Sequence, residues 1–119
     1  MNKCILVVDD LATDRLALIK VLKKQGITDI VEASNGQEGV TKAKAGRPAL
    51  VFMDIVMPGI SGFQATREIV KHDPSIPVIV VSTKDRAPDK LNATAAGAKG
   101  YIAKPISESG IAEVLQKYL

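Results

Sequence analysis

Five short apolar runs recur through the chain: CILVV at 4–8, IVEA at 30–33, ALVFM at 49–53, VIVVS at 78–82 and GYIA at 100–103. They are rich in Val and Ile and lack strict polar alternation, the pattern of strands covered on both faces. The segments between them carry helical spacing. Residues 13–25 place Leu18, Val21, Leu22 and Gln25 on one side ahead of Gly26, and 37–45 form a short, weak helix stopped by Gly46, Arg47 and Pro48. Residues 61–72 carry Phe63, Ala65, Ile69 and Val70, and 87–96 accept Pro88 in a first helical turn. Ile111, Val114, Leu115 and Tyr118 fall at i, i+3, i+4 and i+7, the stripe of a closing amphipathic helix. Strand and helix thus alternate five times, which specifies an α/β chain with a parallel sheet and helices on both faces. A chain of 119 residues without linker or repeat is expected to be one domain, 1–119, with no output domain.

Composition narrows the function classes. The formal charge is +3, with the basic residues scattered among acids, so the mild basicity reads as solubility rather than a nucleic-acid surface. Two Phe, two Tyr and no Trp leave no stacking platform for single strands. The one cysteine, Cys4, rules out an internal disulfide and sits in an apolar run as an expected core residue. No apolar stretch approaches the roughly 20 residues of a membrane helix, and no targeting signal opens the chain. A cytoplasmic protein is expected.

One residue does not fit a purely structural account. Asp54 follows the apolar run at 49–53 and precedes Met57-Pro58-Gly59, and an unpaired charge at the end of a buried strand costs several kcal/mol. In an open α/β sheet, ligands bind beyond the carboxyl ends of the strands, where strand order reverses. The polar residues at those ends are Asp9 and Asp10 after the first strand, Asp54 after the third, Ser82 and Thr83 after the fourth, and Lys104 after the fifth. If the strand order makes the first and third strands neighbours, three carboxylates would converge, and they repel unless cations join them. Hard oxygen donors suit Mg²⁺, and Mg²⁺ together with Lys104 balances the three acids in formal charge. Such a site can also offset an added phosphoryl group, and a carboxylate can accept one covalently. Asp54, alone at its strand end, is the nucleophile, with Asp9 and Asp10 holding the metal. Taken singly, Asp10 could instead cap the first helix and Asp9 could be a turn residue.

The motifs VVDD (7–10), MDIVMPGISG (53–62), VIVVST (78–83) and AAGAKGYIAKP (95–105), in this order and spacing, resemble the receiver domain of bacterial two-component response regulators. The resemblance covers the whole chain and points to single-domain regulators of the chemotaxis CheY type. It implies a doubly wound, flavodoxin-like sheet of order 2-1-3-4-5 and phosphorylation on Asp54. It implies further that Asp10 ligates Mg²⁺ directly, that Asp9 acts mainly through water, and that Asp54 and the Val56 carbonyl complete the protein ligands. Ser82 and Lys104 would hold phosphoryl oxygens, with backbone N–H groups near Val56 and Thr83 assisting. Tyr101 occupies the place of a switch aromatic coupled to Ser82, and Lys104-Pro105 that of a bond usually cis.

The resemblance also implies partners. A histidine kinase or histidine phosphotransfer domain of a chemotaxis or pilus-motility pathway would be the donor. A target protein would read the face of the fourth helix, fifth strand and fifth helix. On this reading the chain is a phosphoacceptor that promotes its own phosphorylation and dephosphorylation, not an enzyme with a separate substrate. Val56 and Lys84 flank the site, and neither can orient an attacking water, so slow hydrolysis is expected. The fourth helix, rich in Ala and Thr, is expected to be marginally held. A haloacid-dehalogenase-type enzyme would need a second acid at Val56, and a flavin would be repelled by the acids. A phosphorylation-independent interaction module remains the alternative. His72, the lone histidine, is expected at the surface.

Overall fold

The computed structural model describes residues 3–84 and 86–119. Five strands alternate with five helices: β1 (Ile5–Val8), α1 (Ala12–Lys24), β2 (Ile30–Ala33), α2 (Gly36–Gly46), β3 (Leu50–Met53), α3 (Gly62–His72), β4 (Val78–Ser82), α4 (Ala87–Ala96), β5 (Gly100–Ala103) and α5 (Glu108–Tyr118). The strands form one parallel sheet of order β2-β1-β3-β4-β5. The expected order holds, and β3 lies at its centre.

Strand side chains alternate between faces, so each inner strand feeds two cores. On one side Ile5, Val7, Leu50, Phe52, Ile79 and Val81 meet Leu18, Ile19 and Leu22 of α1 and Ile111 and Leu115 of α5. On the other, Leu6, Val8, Val51, Met53 and Val78 meet Val40 and Ala43 of α2 and Ala65 and Ile69 of α3. A smaller cluster joins Ile55 and Val80 to Ala93 of α4, with Phe63 and Tyr101 packed against it. Coverage on both faces explains why β1, β3 and β4 read as unbroken apolar runs. The edges depart from that expectation: Val31 and Glu32 of β2 are exposed and all of β5 is only half-buried. An edge strand has a neighbour on one side only, so helices flank it less fully.

Two helix details differ from the sequence reading. Gln25 lies outside the buried stripe of α1, because the helix ends at Lys24 and Gly26 turns the chain at φ 87°. Ile19 takes the buried place instead. In α2, Gly46 remains helical and Arg47 adopts the left-handed cap conformation at φ 45°. Cys4 is half-buried rather than a core residue, and burial together with the neighbouring Asp29 carboxylate pushes its thiol above the usual range. No helix among the described residues is long and apolar enough to cross a membrane.

One contact fixes where α3 meets the strand ends. Gly62 opens the helix, its N–H donating to the Ile55 carbonyl at 2.8 Å, and a Cβ at this position would fall 1.9 Å from the Asp54 carbonyl oxygen. Only glycine allows this approach. Gly62→Ala is expected to cost about 1–3 kcal/mol in urea unfolding, the usual penalty of overpacking. Thr66, fully buried in the same helix, has a hydroxyl without a hydrogen-bond partner. Replacing it by the isosteric Val is expected to raise stability by about 1 kcal/mol in the same measurement.

Candidate functional site

The sheet order brings the predicted polar residues to one edge. Asp54 continues β3 beside β1, its N–H donating to the Val8 carbonyl at 3.0 Å, while the Asp9 N–H donates to Ala33 at 3.0 Å. The β5 end is tied to β4 where the Lys104 N–H meets the Ser82 carbonyl at 2.8 Å. Asp9, Asp10 and Asp54 each place a carboxylate oxygen within 4.8 Å of the others. Asp9 is only 5% exposed and Asp54 only 7%. Hard, clustered oxygen donors at this spacing fit a small divalent cation such as Mg²⁺.

The first helix begins without a side-chain cap: Leu11 is the N-cap, and Asp9 Oδ1 accepts the Leu11 N–H at 3.0 Å. Asp10 therefore does not cap α1, and its half-buried carboxylate belongs to the acidic cluster. Lys104 supplies the positive charge. Its ammonium lies 2.9 Å from Asp9 Oδ2, 2.8 Å from Asp14 Oδ2 and 3.8 Å from Asp54 Oδ1. Burial pulls the Lys104 pKa down, but hydrogen bonds to Asp14 and Asp9 and the Asp54 charge outweigh it, so the ammonium is held above its ordinary range.

Asp54 moves the opposite way for a carboxylate. Burial, reinforced by the Asp9 charge, pushes its pKa up to about 6 against the pull of Lys104 and of the Ile55 N–H that it accepts at 2.9 Å. At neutral pH it is mostly ionised, yet its negative charge is poorly compensated by the protein alone. Such a group gains from any added cation.

The remaining residues frame this cluster. Ser82 is buried, and its hydroxyl accepts the Lys84 N–H at 3.1 Å. The Tyr101 hydroxyl donates to the Lys84 carbonyl, so both ends of one exposed loop residue are held by Ser82 and Tyr101. The Val56 side chain is 59% exposed and, like Thr83 and Lys84, stands at the rim. Lys104-Pro105 is cis. His72 is exposed at the C-terminal end of α3, away from this edge.

Two residues escaped the sequence reading. Asp14 joins Lys104 from the first turn of α1, and Arg15 donates from Nη1 to the Asp9 carbonyl at 2.6 Å and from Nε to Glu32 at 2.8 Å. Both sit in what reads as an ordinary amphipathic helix. Their one signal is the position of an acid and a base in the turn after Asp9 and Asp10, where helical side chains lean back toward the N-terminus.

Comparison with known proteins agrees with this geometry. The family model "Response regulator receiver domain" matches residues 5–116. Protein PilH of Pseudomonas aeruginosa is 42% identical over 117 residues, covering 97% of this chain and 96% of that protein. The chemotaxis protein CheY of Thermotoga maritima is 41% identical, covering 98% of each. Among solved structures, CheY in the CheX-CheY-BeF3-Mg²⁺ complex of Borrelia burgdorferi superposes with a TM-score of 0.92 at 26% identity, covering 98% of this chain and 90% of that one. A family match over residues 5–116, two such relatives and the β2-β1-β3-β4-β5 sheet place this chain in the response regulator receiver domain family.

Proposed function

We propose that this receiver domain is a signalling switch written by phosphorylation of Asp54. The observation that carries the proposal is the pairing of a buried, poorly compensated Asp54 carboxylate with two further acids on one side and Lys104 on the other. Asp54 forms the new O–P bond as the bond from phosphorus to the donor breaks, and the donor leaves with the electron pair. Asp10 and Asp54, with the Val56 carbonyl and with Asp9 through water, would hold Mg²⁺. The ion when bound supplies positive charge opposite the transferring oxygens. Lys104 and Ser82 would take the remaining phosphoryl oxygens.

The readout begins at Ser82. Its hydroxyl already holds the Lys84 N–H, and Tyr101 holds the carbonyl of the same residue. A Ser82 hydroxyl drawn toward a phosphoryl oxygen would release one end of Lys84 and let Tyr101 follow, reshaping the face of α4, β5 and α5. Few apolar contacts oppose this: α4 buries only Ala93 and Ala96 and leaves Leu91 70% exposed. A histidine kinase or histidine phosphotransfer domain would supply the phosphoryl group, and a target protein would read the altered face. The relatives named PilH and CheY support a chemotaxis or motility pathway.

Incubation with acetyl phosphate and Mg²⁺ should add one phosphoryl mass to the wild type and none to Asp54→Asn. Equal gain in both would remove Asp54 as acceptor, and none in either would favour a phosphorylation-independent module. With Val56 and Lys84 at the rim, the phosphorylated protein should outlast donor removal by minutes in Mg²⁺ buffer. Decay within a few seconds would contradict this.

The raised Asp54 pKa sets two pH dependences. Mg²⁺ affinity should fall as pH drops through about 6, because the metal must displace a proton; calorimetry can follow this in a protein without Trp. In chelator the sign for stability is the reverse of an ion-paired acid. The ionised form is disfavoured in the fold, so stability should decline as pH rises from the ordinary carboxylate value to about 6. Asp54→Asn should then be more stable at pH 7 by about 1–2 kcal/mol after allowance for solvent screening. The gain should vanish at pH values below the ordinary carboxylate range in urea unfolding.

A further inference from the structure

We infer that Asp14 is a positioning residue that holds the Lys104 ammonium in a resting place and so sets how readily the site takes a phosphoryl group. The inference rests on the phosphoacceptor reading of Asp54. Lys104 stands 2.8 Å from Asp14 and 2.9 Å from Asp9, but 3.8 Å from Asp54, the atom beside which a phosphoryl group would be attached. The ammonium is thus drawn toward α1, and its hydrogen bonds go to α1 and β1 carboxylates rather than to the acceptor.

The two holding acids differ. Asp9 is part of the triad that suits a cation, so a bound metal takes up its charge and weakens its claim on Lys104. Asp14 lies outside that triad, so a metal held there does not take it up as a ligand. Asp14 therefore remains as the competitor of the incoming phosphoryl oxygens for Lys104. The competition is winnable because the Asp14 side chain is 38% exposed, and pairs reaching solvent are worth little. Room to move is also present. A cavity of about 260 Å³ is lined by Asp14, Leu18, Lys104 and Ile106 and also by Asp9 and Asp54, so it joins the two ends of the exchange. Lys104 can change partners there without displacing packed side chains.

Removing the competitor should make the phosphoryl state easier to form. The test is the half-saturating concentration of beryllofluoride, a phosphoryl mimic, and of acetyl phosphate at saturating Mg²⁺. The wild type is compared with Asp14→Asn, Asp14→Glu and Glu32→Gln. Asp14→Asn is expected to lower both values about two- to fivefold, the size of one partly exposed ion pair. Its maximal phosphorylation level, thermal midpoint and Mg²⁺ half-saturation should change by less than about twofold or a few degrees. Asp14→Glu, which can re-form the pair, should return the values toward wild type. Glu32→Gln removes an equal charge from the same end of the sheet, and it should have little effect.

Half-saturation unchanged or raised in Asp14→Asn would overturn the inference. An equal drop in Glu32→Gln would overturn it too, because a general change in field would then suffice. A wild type that takes neither mimic nor phosphoryl group would instead defeat the Asp54 reading itself, which separates the two failures.

Discussion

An excess of negative charge at one edge of the sheet is the constraint on which the rest of the molecule depends. Parallel pairing of β1 with β3 places Asp9, Asp10 and Asp54 together, two of them nearly buried. Like charges in that setting destabilise the fold unless countered. Lys104 counters them from the far side, carried there by β5 and anchored by its own N–H on Ser82. The single ammonium divides itself among Asp9, Asp14 and Asp54 and lies farthest from Asp54, so its pull does not offset the burial and the Asp9 charge that raise that carboxylate.

The scaffold keeps this unfavourable cluster in place by being firmly packed elsewhere. Residues of β1, β3 and β4 are buried on both faces, and α1, α5, α2 and α3 close the two cores. Burial at roughly 25 cal/mol per Å² across so many aliphatic side chains tolerates a local electrostatic cost of a few kcal/mol. The tight seating of Gly62 on the Asp54 carbonyl extends that close packing to the loop after β3. Packing is thinner at α4, whose buried residues are two alanines. A well-packed site beside a thinly packed helix is an arrangement that suits a two-state switch.

Much of this was legible in the residues. The five apolar runs located every strand to within a residue, because strands buried on both faces admit few polar residues. The same rule failed at the edges, where β2 exposes Val31 and Glu32, since a local run carries no record of whether a neighbour lies alongside. Asp54 announced itself as an acid where apolar packing should continue. Asp10 was ambiguous between a helix cap and a cluster member until the cap was seen at Leu11. Cys4 looked like core, but its strand begins one residue later and leaves it half-buried near Asp29.

By itself the sequence determined the alternation of elements, the strand-end positions of Asp9, Asp10, Asp54, Ser82 and Lys104, and through them the class of chemistry. Local spacing carries that information because side-chain periodicity and strand ends are properties of short segments. Only the tertiary structure decided how one ammonium is shared among several acids. Asp14 and Lys104 are 90 positions apart and meet because α1 and the end of β5 close over one edge of the sheet. The strength of an ion pair depends on distance and burial at the point of meeting, and no pattern in either segment encodes those quantities.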